Sequence, residues 1–399
     1  ATSSPSASSA CREDEGRMSG PRKVAIVGAA LSDIGRVDDK TAFELHFQGT
    51  SRALADAGLT KDDVGGFMSC GLGTLAPIEV AEYLGLRPTW ADSTQVCGSS
   101  WEFMVEHAVA AIGQGLTDVV VLAYGSTTRA DLKRRLRTAN LGFGSRGPSQ
   151  FDSPWGHSLI AKYAMTARRH MFEFGTTIEQ LAEIAVSARY NASLNPEAFY
   201  REPITIDDVL AGPMIADPFT KLHCCIRSDG GGAVVLAAEE RARDCAKQPV
   251  WILGTGEALS HTTMSEWEDF TESPCTRSGQ QAFTRAGITS ADVDICELYD
   301  AFTSMLLLTL EGLGFCKKGE GGGFVEDGKL RVGGALPTNT DGGGLSHCHP
   351  GMRGMFLLVE GTRQLRGECG ARQVDGAEIC CVNGTGGWMS STSTVILGT

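Results

Sequence analysis

The sequence lacks any apolar run long enough to cross a membrane, and it lacks cysteines paired as CxxC. Its thirteen cysteines are scattered over 399 residues. Such an odd, scattered set in a chain without a secretory signal predicts reduced thiols in the cytoplasm and not a disulfide framework. The first 17 residues are rich in serine and alanine and then charged, without a hydrophobic core segment. We therefore expect residues 1–22 to be a disordered leader and not a signal peptide.

Positive charge is scarce as well. Lysine and arginine number 35 against 48 aspartates and glutamates, which gives a net charge of -13. This balance argues against a nucleic-acid partner. The adjacent cysteines at 224–225 and 380–381 and the triplet His347-Cys348-His349 lack the C-x2–4-C spacing of structural zinc sites, so we expect no metal.

The chain does contain an internal repeat. Continuous apolar runs at 23–28 and 249–254 are typical of strands buried in a sheet, and each is followed by a predicted helix. The helices end in related octapeptides at 57–64 and 286–293, which share alanine, glycine, threonine, aspartate and valine at matching positions. The repeat predicts two similar halves, residues 23–125 with 214–240 and residues 248–399. Residues 126–213 interrupt the first half, and we interpret them as an inserted cap.

One cysteine occupies a position suited to a nucleophile. Cys97 precedes an apolar-periodic stretch that ends near Ile112, so the pattern predicts a buried helix with Cys97 at its N-terminus. A helix N-terminus favours the thiolate that nucleophilic chemistry needs. The alternative is that Cys97 is a small core residue, as unpaired cysteines commonly are.

The second half carries a histidine at the equivalent place. A glycine-rich turn at 342–351 leads into another apolar helix, and we expect Pro350 in its first turn. The repeat then places His349 opposite Cys97, in a crevice outside the carboxyl ends of the strands. A cysteine that faces a histidine is a nucleophile–base arrangement. Taken alone, His349 is equally well explained as a turn histidine with satisfied hydrogen bonds.

Four segments together resemble the thiolase superfamily, and within it the branch of sterol-carrier and lipid-transfer-protein-type thiolases. They are Val96-Cys97-Gly98-Ser99, residues 297–302 (ELYDAF), Cys348-His349-Pro350-Gly351 and residues 383–387 (NGTGG). The resemblance implies an α/β fold of five layers, α/β/α/β/α, with two halves related by a pseudo-twofold axis. It also implies a homodimer, coenzyme A as substrate or product with no covalently bound cofactor, and in this branch a possible small subunit with a zinc ribbon and an OB-fold.

The resemblance also assigns roles. It implies that Cys97 accepts an acyl group, that His349 activates this thiol, and that the backbone N–H of Gly387 helps to bind the thioester oxygen. Asn383 stands where many thiolases carry a second, base-like cysteine. Tyr299 replaces the asparagine or histidine that orients a catalytic water.

These departures leave the catalytic base open. Tyr299, His347 and Cys381 are the candidates, and an unperturbed phenol with a pKa near 10 would be a poor base at neutral pH. A buried phenol without a catalytic role is an equally good interpretation of Tyr299.

The cap contributes candidate substrate contacts. The basic run that includes Arg129 and Arg134 could meet the phosphates of coenzyme A, although such runs are more often solvated helix faces. Trp155 and His157 lie in a polar and aromatic stretch that we interpret as a substrate-lining loop.

Three functions fit these residues. The first is a thiolase-type acyltransferase that forms or cleaves a carbon–carbon bond at a 3-oxoacyl-CoA through an acyl-Cys97 intermediate. The second is a carbon–carbon lyase, a retro-aldolase in which Tyr299 transfers the proton. The third is a non-catalytic scaffold that binds acyl-CoA or lipid. The presence of both Cys97 and His349 favours the acyltransferase.

Overall fold

The computed structural model describes residues 22–134, 147–156 and 158–399. The strands are β1 (Val24–Leu31), β2 (Gly66–Ser69), β3 (Trp90–Asp92), β4 (Val119–Ser126), β5 (Met214–Ala216), β6 (Phe219–Thr220), β7 (Gly230–Ala238), β8 (Val250–Leu259), β9 (Ile295–Leu298), β10 (Ile379–Gly386) and β11 (Ser391–Gly398). The helices are α1 (Ala42–Ala57), α2 (Ala76–Leu84), α3 (Ser100–Gly113), α4 (Thr128–Lys133), α5 (Ser149–Asp152), α6 (Leu159–Phe174), α7 (Ile178–Ser193), α8 (Ile206–Leu210), α9 (Glu239–Ala242), α10 (Cys275–Ala286), α11 (Thr303–Gly312), α12 (Gly321–Phe324) and α13 (Gly354–Leu365).

The main sheet shows the internal repeat in its strand order, β3-β2-β4-β7-β1-β8-β11-β10-β9. In the first half β1 and β7 pair antiparallel, β7 and β4 antiparallel, and β4 and β2 parallel. In the second half β8, β11, β10 and β9 repeat this series with the same directions. A short antiparallel pairing of Ala25 and Ile26 with Trp251 and Val250 joins the half-sheets. The order and the strand directions therefore define two pseudo-equivalent halves.

Helices cover both sides of each half-sheet. The central helices α3 and α13 contact each other and strands of both halves, whereas α1 packs on β1, β4 and β7, and α10 packs on β8 and β11. Strands β1 and β7 are buried along their whole length, as expected where helices cover both faces. This arrangement is the predicted α/β/α/β/α layering, so the predicted fold class is confirmed.

The repeated octapeptide builds the same turn twice. The glycine that follows α1 and the one that follows α10 adopt the left-handed conformation, with φ of 72° and 71°. In the turn after each helix the carboxylate of Asp63 or Asp292 accepts the backbone N–H and the hydroxyl of Thr60 or Thr289, at 2.8–2.9 Å. The shared residues thus end a helix and fix the chain direction into β2 or β9.

Removing either threonine hydroxyl should destabilise its half by a similar amount. We expect Thr60→Ala and Thr289→Ala each to lower the free energy of unfolding by about 1 kcal/mol, because each loses one hydrogen bond to a carboxylate at a helix start. Urea unfolding measures the change. Thr284→Ala, at an exposed position within α10, is the matched control and should not lower stability.

The chain between β4 and β7 holds α4 to α8 and the small sheet of β5 and β6. Within it, α6 packs on α11 and α7 packs on α8 and α11, so this segment rests on the second half although it interrupts the first. Within the described ranges, no helix is long and apolar enough to cross a membrane.

Candidate functional site

Cys97 starts a 3₁₀ turn, Cys97–Ser99, that runs directly into α3. Its φ of 63° lies in the left-handed region, which residues with a side chain seldom adopt outside functional sites. Burial raises the pKa of the thiol, and a hydrogen bond from the Gly387 backbone only partly offsets this. The raised pKa means that the resting group is a thiol, whereas the position at a helix end predicted a thiolate.

Tyr299 and His349 form a hydrogen-bonded pair. The Tyr299 Oη lies 3.1 Å from His349 Nε2, and the two rings meet edge to face. Burial, with the charge of Arg353, lowers the pKa of His349 to about 4, so the imidazole is neutral at neutral pH. Burial also raises the pKa of Tyr299 well above its ordinary value. The phenol therefore keeps its proton and donates it to Nε2, while Oη accepts the backbone N–H of Arg353 at 3.2 Å.

Gly98 brings this pair against the nucleophile turn. A Cβ on Gly98 would lie 2.5 Å from two ring atoms of Tyr299, and it would also collide with the Thr385 carbonyl. The tyrosine ring can pack here only because residue 98 has no side chain. In the part of the chain that the structure describes, Cys97 and His349 share no hydrogen bond; Tyr299 contacts both segments instead.

A buried ion cluster fixes the loop that carries His349. The guanidinium of Arg353 binds both carboxylate oxygens of Asp341 at 2.6 and 2.8 Å and approaches Asp300 at 3.3 Å. It also donates to the Cys348 carbonyl at 3.0 Å. The backbone N–H of His349 donates to the Ser228 hydroxyl at 2.8 Å. The loop that carries the imidazole is therefore bonded to Ser228 and to Arg353, and Arg353 is itself bonded to Asp341.

The prediction that Pro350 lies in the first helical turn is wrong, because α13 begins at Gly354. The hydroxyl of Tyr124 donates to the Pro350 carbonyl at 2.8 Å and accepts the N–H of Met352 at 3.2 Å. These bonds hold the backbone in a loop where the sequence pattern predicted a helix.

Three of the candidate residues lie elsewhere. The Asn383 amide donates to Thr394 Oγ1 at 2.8 Å, and that hydroxyl contacts Ser278 of α10, so Asn383 faces the outer helix layer. Cys381 is on the same face of β10, fully buried and next to Cys296. His347 is bound through Nδ1 to Asp341 at 2.6 Å. None of the three side chains is brought to Cys97.

The candidate substrate contacts of the cap are bonded to other groups, exposed or outside the described residues. Arg129 pairs with Asp38 at 2.9 Å and with Asp229 at 3.4 Å, and Arg134 bonds the Asp38 carbonyl, so neither is a free cation. The side chain of Trp155 is 89% exposed. His157 lies outside the described residues.

Sequence reasoning missed Tyr163 of α6. Its hydroxyl donates to the Gly387 carbonyl at 2.8 Å and accepts the N–H of Met389 at 3.1 Å, and its ring stacks on Phe302. No local pattern marks this tyrosine, because its role depends on how α6 packs across the halves. Arg353 was missed too, although a charged residue between an apolar helix and a glycine-rich loop is a usable signal.

An open cavity of about 360 Å³ borders the thiol. Its lining includes Val96, Leu259, His261 and Trp388 beside Cys97 and Gly387. The nucleophile turn is therefore accessible from outside, whereas the Tyr299 ring is buried behind it.

Buried histidines should make the protein sensitive to acid. Burial lowers the pKa of His46, His223, His261 and His349 to about 4, below the ordinary value of 6.5. Between these values the unfolded chain binds protons that the folded chain does not, so stability is complete above pH 6.5 and falls as pH drops towards 4. We expect the Tm to decrease steadily over this interval. A Tm that is flat from pH 6.5 to 4.5 would contradict these directions.

Comparison with known proteins identifies the class. Residues 256–399 match the family model described as Thiolase C-terminal domain-like. The chain is 33% identical to an acetyl-CoA acetyltransferase of Methanothermobacter thermautotrophicus, over 92% of this chain and 97% of the relative. It is 35% identical to 17-hydroxy-3-oxo-4-pregnene-20-carboxyl-CoA lyase of Mycobacterium tuberculosis, over 94% and 99%. The solved structure of an Ltp2-ChsH2(DUF35) aldolase superposes with a TM-score of 0.85 at 31% identity, over 95% of this chain and 98% of that one.

The chain belongs to the thiolase superfamily, in the branch that also contains sterol carrier protein 2. Its relatives are thiolase-fold enzymes that carry both acetyltransferase and lyase names.

Proposed function

We propose that the protein is a carbon–carbon lyase that cleaves a 3-hydroxyacyl-CoA by a retro-aldol reaction, with Tyr299 and His349 as the proton-transfer pair. The hydrogen bond between Tyr299 Oη and His349 Nε2 carries this proposal. It commits the neutral imidazole to the phenol, and no other base in the described ranges is hydrogen-bonded to the thiol of Cys97.

The proposed pair can move one proton without forming a free phenolate. Tyr299 passes its proton to His349 Nε2 as it takes the proton of the substrate's 3-hydroxyl group. The bond between C2 and C3 breaks, C3 becomes a ketone, and the electron pair passes to the thioester enolate. The proton then returns from His349 through Tyr299 to C2, which yields a shortened acyl-CoA and restores both residues. Backbone N–H groups near Cys97, that of Gly387 among them, suit the developing negative charge on the thioester oxygen.

Acyl transfer through Cys97 is the second candidate. The left-handed φ of Cys97 and the hydrogen bond from Gly387 favour it, because strain of this kind is retained where a side chain has a function. In that reaction the Cys97 sulfur would hold the acyl group, and His349 would have to leave Tyr299 to accept the thiol proton.

One experiment separates the two candidates. The full chain is incubated with 17-hydroxy-3-oxo-4-pregnene-20-carboxyl-CoA, the compound named for one relative, and separately with acetoacetyl-CoA plus coenzyme A. Products and intact protein mass are then followed. The lyase proposal requires a 17-ketone and a shortened acyl-CoA with no mass change on the protein. An acyl adduct on Cys97, absent in Cys97→Ala, together with no ketone would overturn it in favour of acyl transfer.

We further propose that coenzyme A is the carrier group and that the chain works as a homodimer with a small second subunit. The name of the similar aldolase includes a DUF35 component, which supports such a subunit. Light scattering of the protein isolated from its source cells tests the homodimer and the second subunit, since a monomer without an accompanying chain would contradict both.

A further inference from the structure

Glu102 is a fully buried carboxyl group that receives no hydrogen bond from another described residue. It lies in α3, five residues after Cys97, in a stretch of buried residues that also contains Trp101, Phe103 and Met104. Neither carboxyl oxygen is bonded to another residue in the described ranges, and the backbone of Glu102 itself offsets the effect of burial only in part. Buried polar groups are almost always hydrogen-bonded, so an unpaired carboxyl in the central layer requires an explanation.

Glycines from the catalytic segments make the space for this carboxyl. A Cβ on Gly384 of β10 would collide with Glu102 Oε2, and it would lie 2.5 Å from the carboxyl carbon. A Cβ on Gly354, the first residue of α13, would meet Oε2 as well and would lie 2.7 Å from the Gly98 carbonyl. Glu102 therefore fills the point where the nucleophile turn, the start of α13 and β10 come together.

This point is one residue from the proton-transfer pair. Arg353, next to Gly354, donates its N–H to Tyr299 Oη, and Gly98 packs against the Tyr299 ring. A displacement of Gly354 or Gly98 would change the position of the phenol. Burial raises the pKa of Glu102 to about 8, so the group is a neutral acid at neutral pH.

Among the described residues, no charged neighbour compensates an ionised Glu102. The ionisable groups on the elements packed against α3 are bonded elsewhere or have no bond to Glu102. They include Cys97 in the nucleophile turn, Glu106 and His107 further along α3, Arg353, Glu360 and Arg363 on the α13 segment, Tyr124 in β4, Glu257 in β8, Cys380 and Cys381 in β10, and Tyr299. An added negative charge here would have to be solvated by movement of the three segments.

We propose that Glu102 is a positioning residue: its neutral carboxyl holds the nucleophile turn, the start of α13 and β10 in the geometry that Tyr299 needs, and its ionisation stops turnover. This inference rests on the proposed lyase function for its kinetic part. The proton that the proposal places on the Glu102 carboxyl stays there throughout the reaction.

The kinetic test is the pH dependence of kcat. For the wild type, cleavage should fall about tenfold per pH unit above pH 8, as the fraction of neutral acid does. Glu102→Gln cannot ionise, so its kcat should stay level through that range. Glu106→Gln, one turn further along α3, is the matched control and should keep the wild-type decline. A decline that is unchanged in Glu102→Gln overturns the proposal.

A second readout does not depend on activity. Because the folded pKa of Glu102 is above the ordinary 4.5, the unfolded chain loses this proton first as pH rises. Below pH 4.5 the carboxyl therefore does not lower the free energy of unfolding. Between pH 4.5 and 8 it lowers this free energy by a growing amount, which is constant above pH 8. The Tm of Glu102→Gln relative to wild type should rise between pH 5 and 8 and then level off. Glu102→Met serves if the glutamine variant does not fold. A constant Tm difference overturns the assignment of a neutral acid, whether or not the chain is a lyase.

Discussion

Replacing Tyr299 by phenylalanine is expected to lower kcat for carbon–carbon cleavage by about 10²–10⁴-fold, the usual contribution of a positioned acid or base. The phenyl ring still packs on Gly98, so the nucleophile turn keeps its support. What disappears is the Oη between the substrate and His349 Nε2. Rates of ketone formation in single-turnover assays measure the loss.

Cys97→Ala provides the comparison. If the thiol is not acylated, this variant should retain at least about a tenth of the wild-type cleavage rate, since alanine also leaves the Gly387 N–H in place. The reverse order of effects, with Cys97→Ala inactive and Tyr299→Phe active, would contradict the lyase mechanism and support the acyl-enzyme.

Replacing Arg353 by methionine should give the largest loss of stability. The side chain is fully buried and is bonded to Asp341, Asp300 and the Cys348 carbonyl. Methionine leaves two buried carboxylates without their cation, which costs about 3–5 kcal/mol. We expect the Tm to fall by roughly 4–6 °C, measured by calorimetry at neutral pH.

Arg168→Met is the control for that loss. Arg168 pairs with Asp217, but the two side chains are 50% and 61% exposed, so solvent screens the pair. Its removal should cost less than about 1 kcal/mol. Equal losses of unfolding free energy in the two variants would mean that burial does not increase the contribution of the Arg353 cluster to stability.

The fold could be predicted because its signals are local and occur twice. The octapeptides at 57–64 and 286–293 each encode a left-handed glycine and a threonine–aspartate turn, and the same turn follows α1 and α10. The placement of Cys97 and His349 on equivalent segments followed from that repeat and from helical periodicity.

The rest of the site depends on information that local pattern does not carry. Both faces of β10 are buried, so the sequence cannot tell that Asn383 and Cys381 face α10 while Gly384 faces α3. Tyr163 reaches Gly387 only through the packing of α6 on the other half. The ion pairs of Arg129 could not be predicted either, because Asp38 and Asp229, which bind it, are 91 and 100 residues distant in sequence.

The repeat also divides the side chains of the site between the two halves. Strand β2 ends at Ser69 and β9 ends at Leu298, so Cys70 and Tyr299 occupy equivalent positions, whereas Cys97 lies three residues before α3 and His349 five residues before α13. The first half thus contributes two sulfur groups near the start of α3, and the second contributes the phenol and the imidazole. The two sets of groups still meet at one place, because Gly98 of the first half packs against the Tyr299 ring of the second. The repeated framework therefore keeps the sulfur groups and the phenol–imidazole pair on opposite halves of one sheet.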